Sequence, residues 1–338
     1  MKGLRHPSRR DQRRRRSCSA FGIVSAVFLF FATEAFSLDT IYMAITPGKN
    51  FQHVIYPIAQ EKGYMREEDI DLKMLVIAGT PSIQGLLAGS IRFTVAGTSA
   101  LIAAAKGAAP LKVVLAANDK VHQWLLSKPE ITSVKNLKGK RIATGGVASS
   151  ATFMLKQTLS RQGLDPNRDV NYIHQSGGTQ LGALLSGSVD AIILGVQPRY
   201  IGVNAGMREL FFFGNEVKNS WGTLATSDRF IKEQPKQVTG FIRAALKALR
   251  FIRQERDATI AANVKFSGVD RTLAARMYDD LIGTFTRNGT VDEETQKNDL
   301  AIIRQIADVS EPIPMARAYD FSFAHEADTQ LNQAGWRP

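Results

Sequence analysis

The sequence predicts an α/β protein built as two parallel-sheet, Rossmann-like lobes with a ligand cleft between them. Three observations predict it. The phrase LLAGSIRFTVAG at residues 86–97 returns as LLSGSVDAIILG at residues 184–195. Upstream, EKGYMREEDIDL around Gly63 matches RQGLDPNRDVNY around Gly163. Each copy alternates strand-like and helix-like segments, the pattern of parallel α/β units.

The elements follow in chain order. Residues 1–37 carry a basic head with Arg9, Arg10 and four further arginines at 13–16, then an apolar stretch at 20–32, then Ala35-Phe36-Ser37. This reads as a secretory signal peptide on the general export route. The apolar stretch falls short of the roughly 20 residues that span a bilayer. An uncleaved anchor is the alternative. The first copy then runs as a strand at 40–46, a helical stretch ending at Gly63, a strand at 71–77, a short helix ending at Gly89 and a strand at 91–96. The second runs as a strand at 141–144, a helix to Gly163, a strand at 170–174, a helix to Gly187 and a strand at 189–194. Glycine closes these helices because it adopts the left-handed turn. The third strand of each copy is apolar on both faces, as in a central parallel strand.

No third copy follows residue 220. Val238, Phe241, Ile242, Ala245, Leu246, Leu249 and Ile252 step at three and four, an amphipathic helix. Its basic face, with Arg243, Lys247, Arg250 and Arg253, reads as solvated surface. More helices run through Ile306, and Pro312 and Pro314 mark a break. The predicted organisation is signal peptide 1–37, first part of lobe 1 at 38–120, lobe 2 at 121–218, and completion of lobe 1 with C-terminal helices at 219–338.

Ligands of open parallel sheets sit beyond the carboxyl ends of the strands. All six strand ends lead into glycine-containing turns, most of them rich in hydroxyls. Helix starts there offer free N–H groups and partial positive charge, and glycine lets a ligand approach the backbone. The candidate ligand-binding residues are Thr46, Gly48, Lys49, Asn50, Thr80, Gly97, Thr98 and Ser99 in the first copy. In the second they are Gly146, Ser149, Ser150, Gly178, Thr179 and Gln197. Such turns suit a small, anionic organic molecule, although each alone is also ordinary capping chemistry. Trp124, Trp221, Phe51 and Tyr200 are candidate cleft walls.

Composition narrows the classes. The formal net charge is +12. Residues 1–37 hold eight Lys/Arg and two Asp/Glu, so half of that excess lies there. The mild basic bias left does not read as nucleic-acid binding. The single cysteine, Cys18, precedes the apolar stretch, so residues 38–338 have no thiol chemistry or disulfide. Walker A, GxGxxG, GxSxG, SxxK and HExxH motifs are absent, and the histidines lack metal-ligand spacing. No catalytic residue, metal or cofactor is expected.

SVKNLKGKRIATGGVASSATFMLKQTLSRQGLDPNRDV at 133–170, GGTQLGALLSGSVDAIILG at 177–195 and AGTSALIAAAKGAAPLKVV at 96–114 resemble the nitrate/sulfonate/taurine group of ABC-transporter solute-binding proteins. That group includes relatives that bind thiamine-precursor pyrimidines. The likeness spans about residues 40–330. It implies a type II periplasmic-binding-protein fold, a discontinuous first lobe and closure of both lobes on a small-molecule ligand. It also implies a periplasmic monomer that serves an ABC transporter permease in the inner membrane and does not bind nucleic acid. The family's ligand loops fall on residues 46–50, 97–99, 149–150 and 177–179. Pyrimidine-synthesising relatives carry a cysteine-rich motif that residues 38–338 lack. Two other readings stay open: a secreted enzyme on the same scaffold, with Lys49 or His122 reactive, and a sensor domain for a signalling partner.

Overall fold

The computed structural model describes residues 38–47, 50–77, 79–107, 109–145, 149–175 and 177–338. The expected signal peptide at 1–37 lies outside them. β1 (Asp39–Ile45) leads through a 3-10 turn at Phe51–Val54 into α1 (Ile55–Glu61). β2 (Ile70–Val76), α2 (Thr80–Ala88), β3 (Phe93–Thr94), α3 (Gly97–Ala105) and β4 (Leu111–Lys120) complete the first passage. The second comprises β5 (Trp124–Ser127), β6 (Arg141–Thr144), α4 (Ser150–Arg161), β7 (Asn171–His174), α5 (Gly177–Leu185), β8 (Ala191–Leu194), α6 (Val196–Asn204) and β9 (Arg208–Phe212). β10 (Lys218–Ser227) returns the chain. Helices α7 (Asp228–Glu233), α8 (Pro235–Gln254), α9 (Arg256–Ser267), α10 (Arg271–Leu281), α11 (Glu293–Ala307), α12 (Met315–Ala318) and α13 (Ser322–Gln333) follow.

Two five-stranded sheets result, in the orders β2-β1-β3-β10-β4 and β7-β6-β8-β5-β9. The three repeated strands of each lobe are parallel, as helical crossovers require. The fourth strand makes each sheet mixed. β10 arrives from the second passage and runs antiparallel to β3 and β4. β5 leaves the first passage and runs antiparallel to β8 and β9. Each lobe therefore takes its fourth strand from a crossing segment.

The repeat is visible in the backbone. Gly63 and Gly163 both have φ +80° and close a helical turn. Their N–H groups donate to Gln60 O at 3.2 Å and Ser160 O at 3.0 Å. A Cβ would strain either position. The third strand of the first lobe is shorter than the apolar run predicts, because paired geometry is regular only at Phe93–Thr94. Hydrogen bonds from Arg92 N to Tyr42 O (2.8 Å) and Val95 N to Ala44 O (3.0 Å) extend the contact on both sides.

The C-terminal helices build much of the first lobe's core. α8 buries Val238, Phe241, Ile242, Ala245, Leu246, Leu249 and Ile252, and Phe93 stacks on Phe241 with ring centroids 4.0 Å apart. Burying each of the larger side chains stabilises by roughly 1.5–3 kcal/mol. The basic face of α8 corrects the sequence expectation of a solvated surface. Arg243 pairs with Glu68, and Lys247, itself buried, pairs with Glu67. Arg250 reaches Asp328 of α13 at 2.8 Å. The acids that meet these cations lie far away in sequence, where helical periodicity gives no sign of them. Among the described residues, no helix is long and apolar enough to cross a membrane.

Candidate functional site

A cavity of about 290 Å³ lies where both lobes contribute residues. The first lobe supplies Thr46, Asn50, Gln52, His53, Gly79 and the first turn of α3. The second supplies Ser150 and Met154, and residues 219–223 of β10 and Asp299, Ile302 and Ile303 of α11 complete the lining.

The start of α3 sits against β10. A Cβ on Gly97 would stand 1.7 Å from Thr223 Oγ1, so this crossing admits only glycine. Helix geometry leaves the N–H groups of Gly97, Thr98 and Ser99 without intrahelical acceptors. All three residues line the cavity, and the helix dipole makes this edge a donor surface.

Residues 219–223 of β10 and Asp299 form a further part of the lining. Between Lys218 and Trp221, β10 carries one residue more than its partner β4, a bulge containing Asn219 and Ser220. Asp299 is buried beside it. Its carboxylate accepts from Asn219 Nδ2 (2.6 Å), Ser220 N (3.1 Å), Ser220 Oγ (2.5 Å) and Tyr319 OH (2.8 Å). Burial raises its pKa from 3.8 to about 6, against the pull of those donors. It is therefore largely ionised at neutral pH. Because an ionised carboxylate only accepts, the Asn219 amide is held with Nδ2 toward Asp299.

Among the described residues, three side-chain atoms of lining residues are closed off from solvent and have no hydrogen-bond partner: Asn219 Oδ1, Gln52 Oε1 and His53 Nδ1. Burial lowers the His53 pKa from 6.5 to about 4, so the ring is neutral at pH 7. His122, at the crossing between β4 and β5, is lowered to about 3 by burial and lies within 2.8 Å of Thr284 Oγ1. Among the described lining residues there is no lysine or arginine. Among the described residues, no group of three or more His, Cys, Asp or Glu is placed to hold a metal ion.

Of the residues singled out in the sequence, Thr46, Asn50, Gly97, Thr98, Ser99 and Ser150 line this cavity. Thr80 opens α2 and is exposed, while its neighbour Gly79 lines the cavity. Ser149 caps α4, accepting from Thr152 N at 3.2 Å. Gly178 and Thr179 lie in α5 and Gln197 in α6, and neither Thr179 nor Gln197 lines the cavity. Gly48, Lys49 and Gly146 lie outside the described residues. Of the four aromatic candidates, Trp221 lines the cavity. Phe51 packs edge-on to Tyr278 and Phe285, Trp124 stacks on Phe212, and Tyr200 OH donates to Asp280 at 2.5 Å.

Sequence reasoning missed Gln52, Asn219, Ser220, Asp299, Ile302 and Ile303 as site residues. One signal was available. Asp299 sits beside Leu300 in a helix whose Ile302 and Ile303 are also buried, a carboxylate at a core position.

A family model described as NMT1/THI5 like matches residues 50–259. The riboflavin-binding protein RibY of Chloroflexus aurantiacus is 26% identical over 228 residues. That match covers 63% of this chain, and the chain spans 62% of that relative's length. Among solved structures, a putative periplasmic sulfonate-binding protein SsuA of Methylobacillus flagellatus aligns with a TM-score of 0.73 at 17% identity, covering 89% of this chain and 97% of that one. The desulfurization enzyme DSZB aligns with a TM-score of 0.67 at 15% identity, covering 86% and 99%. At these identities the likeness shows a shared two-lobed α/β fold.

Proposed function

This chain belongs to the NMT1/THI5-like family, and from that premise we propose that it is an extracytoplasmic solute-binding protein of an ABC importer. It takes a small organic molecule between its lobes and hands it to a membrane permease. The observation that carries this reading is the shared cavity. Both lobes line it, and the first turn of α3 brings its free N–H groups to it. The basic and apolar pattern of residues 1–37 supports export, and RibY and SsuA support the receptor role by the binding their names describe. Closure requires that the ligand favour the closed lobes.

A thermal-shift screen of the full chain against a broad metabolite library, followed by titration calorimetry of the hits, tests the proposal. The expected outcome is at least one ligand bound at about micromolar affinity, or −8 kcal/mol, with a smaller radius of gyration in solution scattering. Failure of every compound to bind more tightly than millimolar overturns it.

A second reading is an enzyme on the same scaffold. It is favoured by two cavity groups with displaced pKa values, His53 and Asp299, and by the fold shared with DSZB. Recovery of a bound ligand chemically unchanged after prolonged incubation separates receptor from enzyme.

A further inference from the structure

We infer that a groove on the first lobe, sharing no lining residue with the cavity described above, binds a multivalent oxyanion of the phosphate class. The inference goes beyond the receptor reading and does not depend on it.

The groove has a volume of about 940 Å³. It lies among the carboxyl end of α8, the end of α13, Asp119 of β4 and the segment 283–290. Arg250, Arg253, Arg287 and Arg337 all line it. Arg250 is already committed within the protein. Its Nη2 donates to Asp328 Oδ1 (2.8 Å) and Asn332 Oδ1 (2.6 Å), and Asn332 Nδ2 donates to Asp328 Oδ2 (3.1 Å). This trio engages both oxygens of Asp328.

The other three arginines have no carboxylate partner among the described residues. Arg253 donates to Phe285 O (2.7 Å), and Arg337 to the adjacent Trp336 O (3.1 Å). Arg287 is exposed and has no partner among the described residues. The negative end of α8 accounts for Arg253, which lies in its last turn. Arg287 and Arg337 belong to no helix. Among the described lining residues, Asp119 is the one carboxylate side chain left to oppose these three cations.

The segment that carries Arg287 is fixed in place. Thr286 N donates to Ala117 O and Ala116 N to Gly289 O, each at 2.8 Å, so β4 holds it on both sides. Gly289 has φ +72°, and a Cβ there would stand 2.8 Å from Leu246 Cδ2. Within the segment, Asn288 Oδ1 accepts from Thr290 N (3.3 Å) and Thr290 Oγ1 (2.9 Å). Its Nδ2 is left as a further donor. The groups still free in the groove are therefore mainly donors, three of them charged. Guanidinium forks match the oxygens of phosphate and form charge-assisted bonds to them. A free phosphate compound and the phosphate headgroup of a membrane lipid offer the same chemistry.

Titration of the full chain with inorganic pyrophosphate at pH 7.5 and constant salt tests the inference. Arg287→Gln combined with Arg337→Gln should weaken binding about tenfold or more, the effect of losing charged hydrogen bonds. Lys106→Gln combined with Lys135→Gln removes the same charge from exposed positions elsewhere and should stay within about twofold. This control separates the groove from general positive charge, that of residues 1–37 included. Asp119→Asn removes the opposing carboxylate and should tighten binding about threefold, a gain that loss of structure cannot imitate. Sedimentation with phosphatidylcholine vesicles, with and without phosphatidylglycerol, runs the same variants against a lipid headgroup. Arginine-dependent binding of pyrophosphate supports a free anion, and arginine-dependent binding of the phosphatidylglycerol vesicles alone supports a headgroup. The inference is overturned if neither probe binds, if the arginine and lysine pairs lose affinity equally, or if folded Asp119→Asn protein binds no more tightly than the parent.

Discussion

The two lobes share one plan and divide the work unequally. Position for position, Asp190 in the second copy stands where Arg92 stands in the first. Their backbones do the same thing: Asp190 N donates to Arg141 O at 2.8 Å, and Arg92 N to Tyr42 O at 2.8 Å. The side chains do not. The Asp190 carboxylate binds Lys128 Nζ (2.7 Å) together with the backbone and guanidinium of Arg141, tying three strands of its sheet. Arg92 lies over the ring of Phe230, 5.0 Å from its centroid. At this position the first lobe packs a cation on a later helix, and the second closes an ion-pair cluster within its own sheet. Among the described residues, the cavity takes many lining residues from the first lobe, and Ser150 and Met154 from α4. Duplication supplies scaffold, and the unduplicated β10 and α11 supply the chemistry that distinguishes the site.

Acid should separate the lobes most strongly. His53 and His122 are neutral in the fold, with pKa values of about 4 and 3, whereas the unfolded chain titrates near 6.5. Below pH 6.5 the unfolded state takes up more protons, so stability present above that pH is lost as it falls. Asp299 acts oppositely. Its folded carboxyl protonates at about 6 and its unfolded one near 3.8, so the fold gains from protonation between those values. Two histidines outweigh one carboxyl, giving a net loss of roughly 3–4 kcal/mol from pH 7 to pH 4. Hydrogen exchange at pH 4.5 should show the amides of β1, β3 and β10 losing protection before those of β6 and β8. Equal loss in both sheets would sink this expectation.

The repeated phrase ends in Gly97 in one lobe and Gly195 in the other. Gly97→Ala should cost about 1–3 kcal/mol, because its Cβ would collide with Thr223. Gly195→Ala should be nearly neutral, since its Cβ would meet nothing within 4 Å. Denaturant midpoints of the two variants measure the contrast directly.

Asp190→Asn should destabilise by about 1 kcal/mol, a value reduced by solvent screening. Arg141 and Lys128 hold this carboxyl well below the usual carboxylate range. Its contribution is full above the unfolded pKa of 3.8 and disappears as pH falls further, so the variant and the parent should converge in midpoint at low pH.

The smallest effect is expected at the second leucine of each phrase. Leu87 is 41% and Leu185 46% exposed, so Leu87→Ala and Leu185→Ala should each stay within about 0.5 kcal/mol. A large thermal shift from either would mean that its leucine is buried in solution and that the two copies pack unlike one another at this position.

Repeated backbone features were the legible part of this molecule. Gly63 and Gly163 announced their turns, and the apolar runs at 91–96 and 189–194 announced central strands. Of the turn residues chosen at strand ends, Thr46, Asn50, Ser150 and the three that open α3 line the cavity, because a helix start at a sheet edge follows from local pattern. Asn219 and Asp299 were not legible as a pair. Eighty positions separate them, and a one-residue bulge brings them together. The fate of the α8 cations was hidden for the same reason, since Glu67 and Glu68 belong to a turn near the beginning of the first lobe.

The strand order β2-β1-β3-β10-β4 has a consequence for how the polypeptide comes together. As the chain leaves the ribosome, β3 and β4 have no shared edge to join, because their common neighbour has not yet been synthesised. The other sheet needs nothing beyond residue 212 to pair all five of its strands. The middle of the polypeptide can therefore assemble while its beginning waits, and β10 works as a keystone that the older half of the molecule receives late. A truncation before residue 218 would leave that half an arch without its central stone.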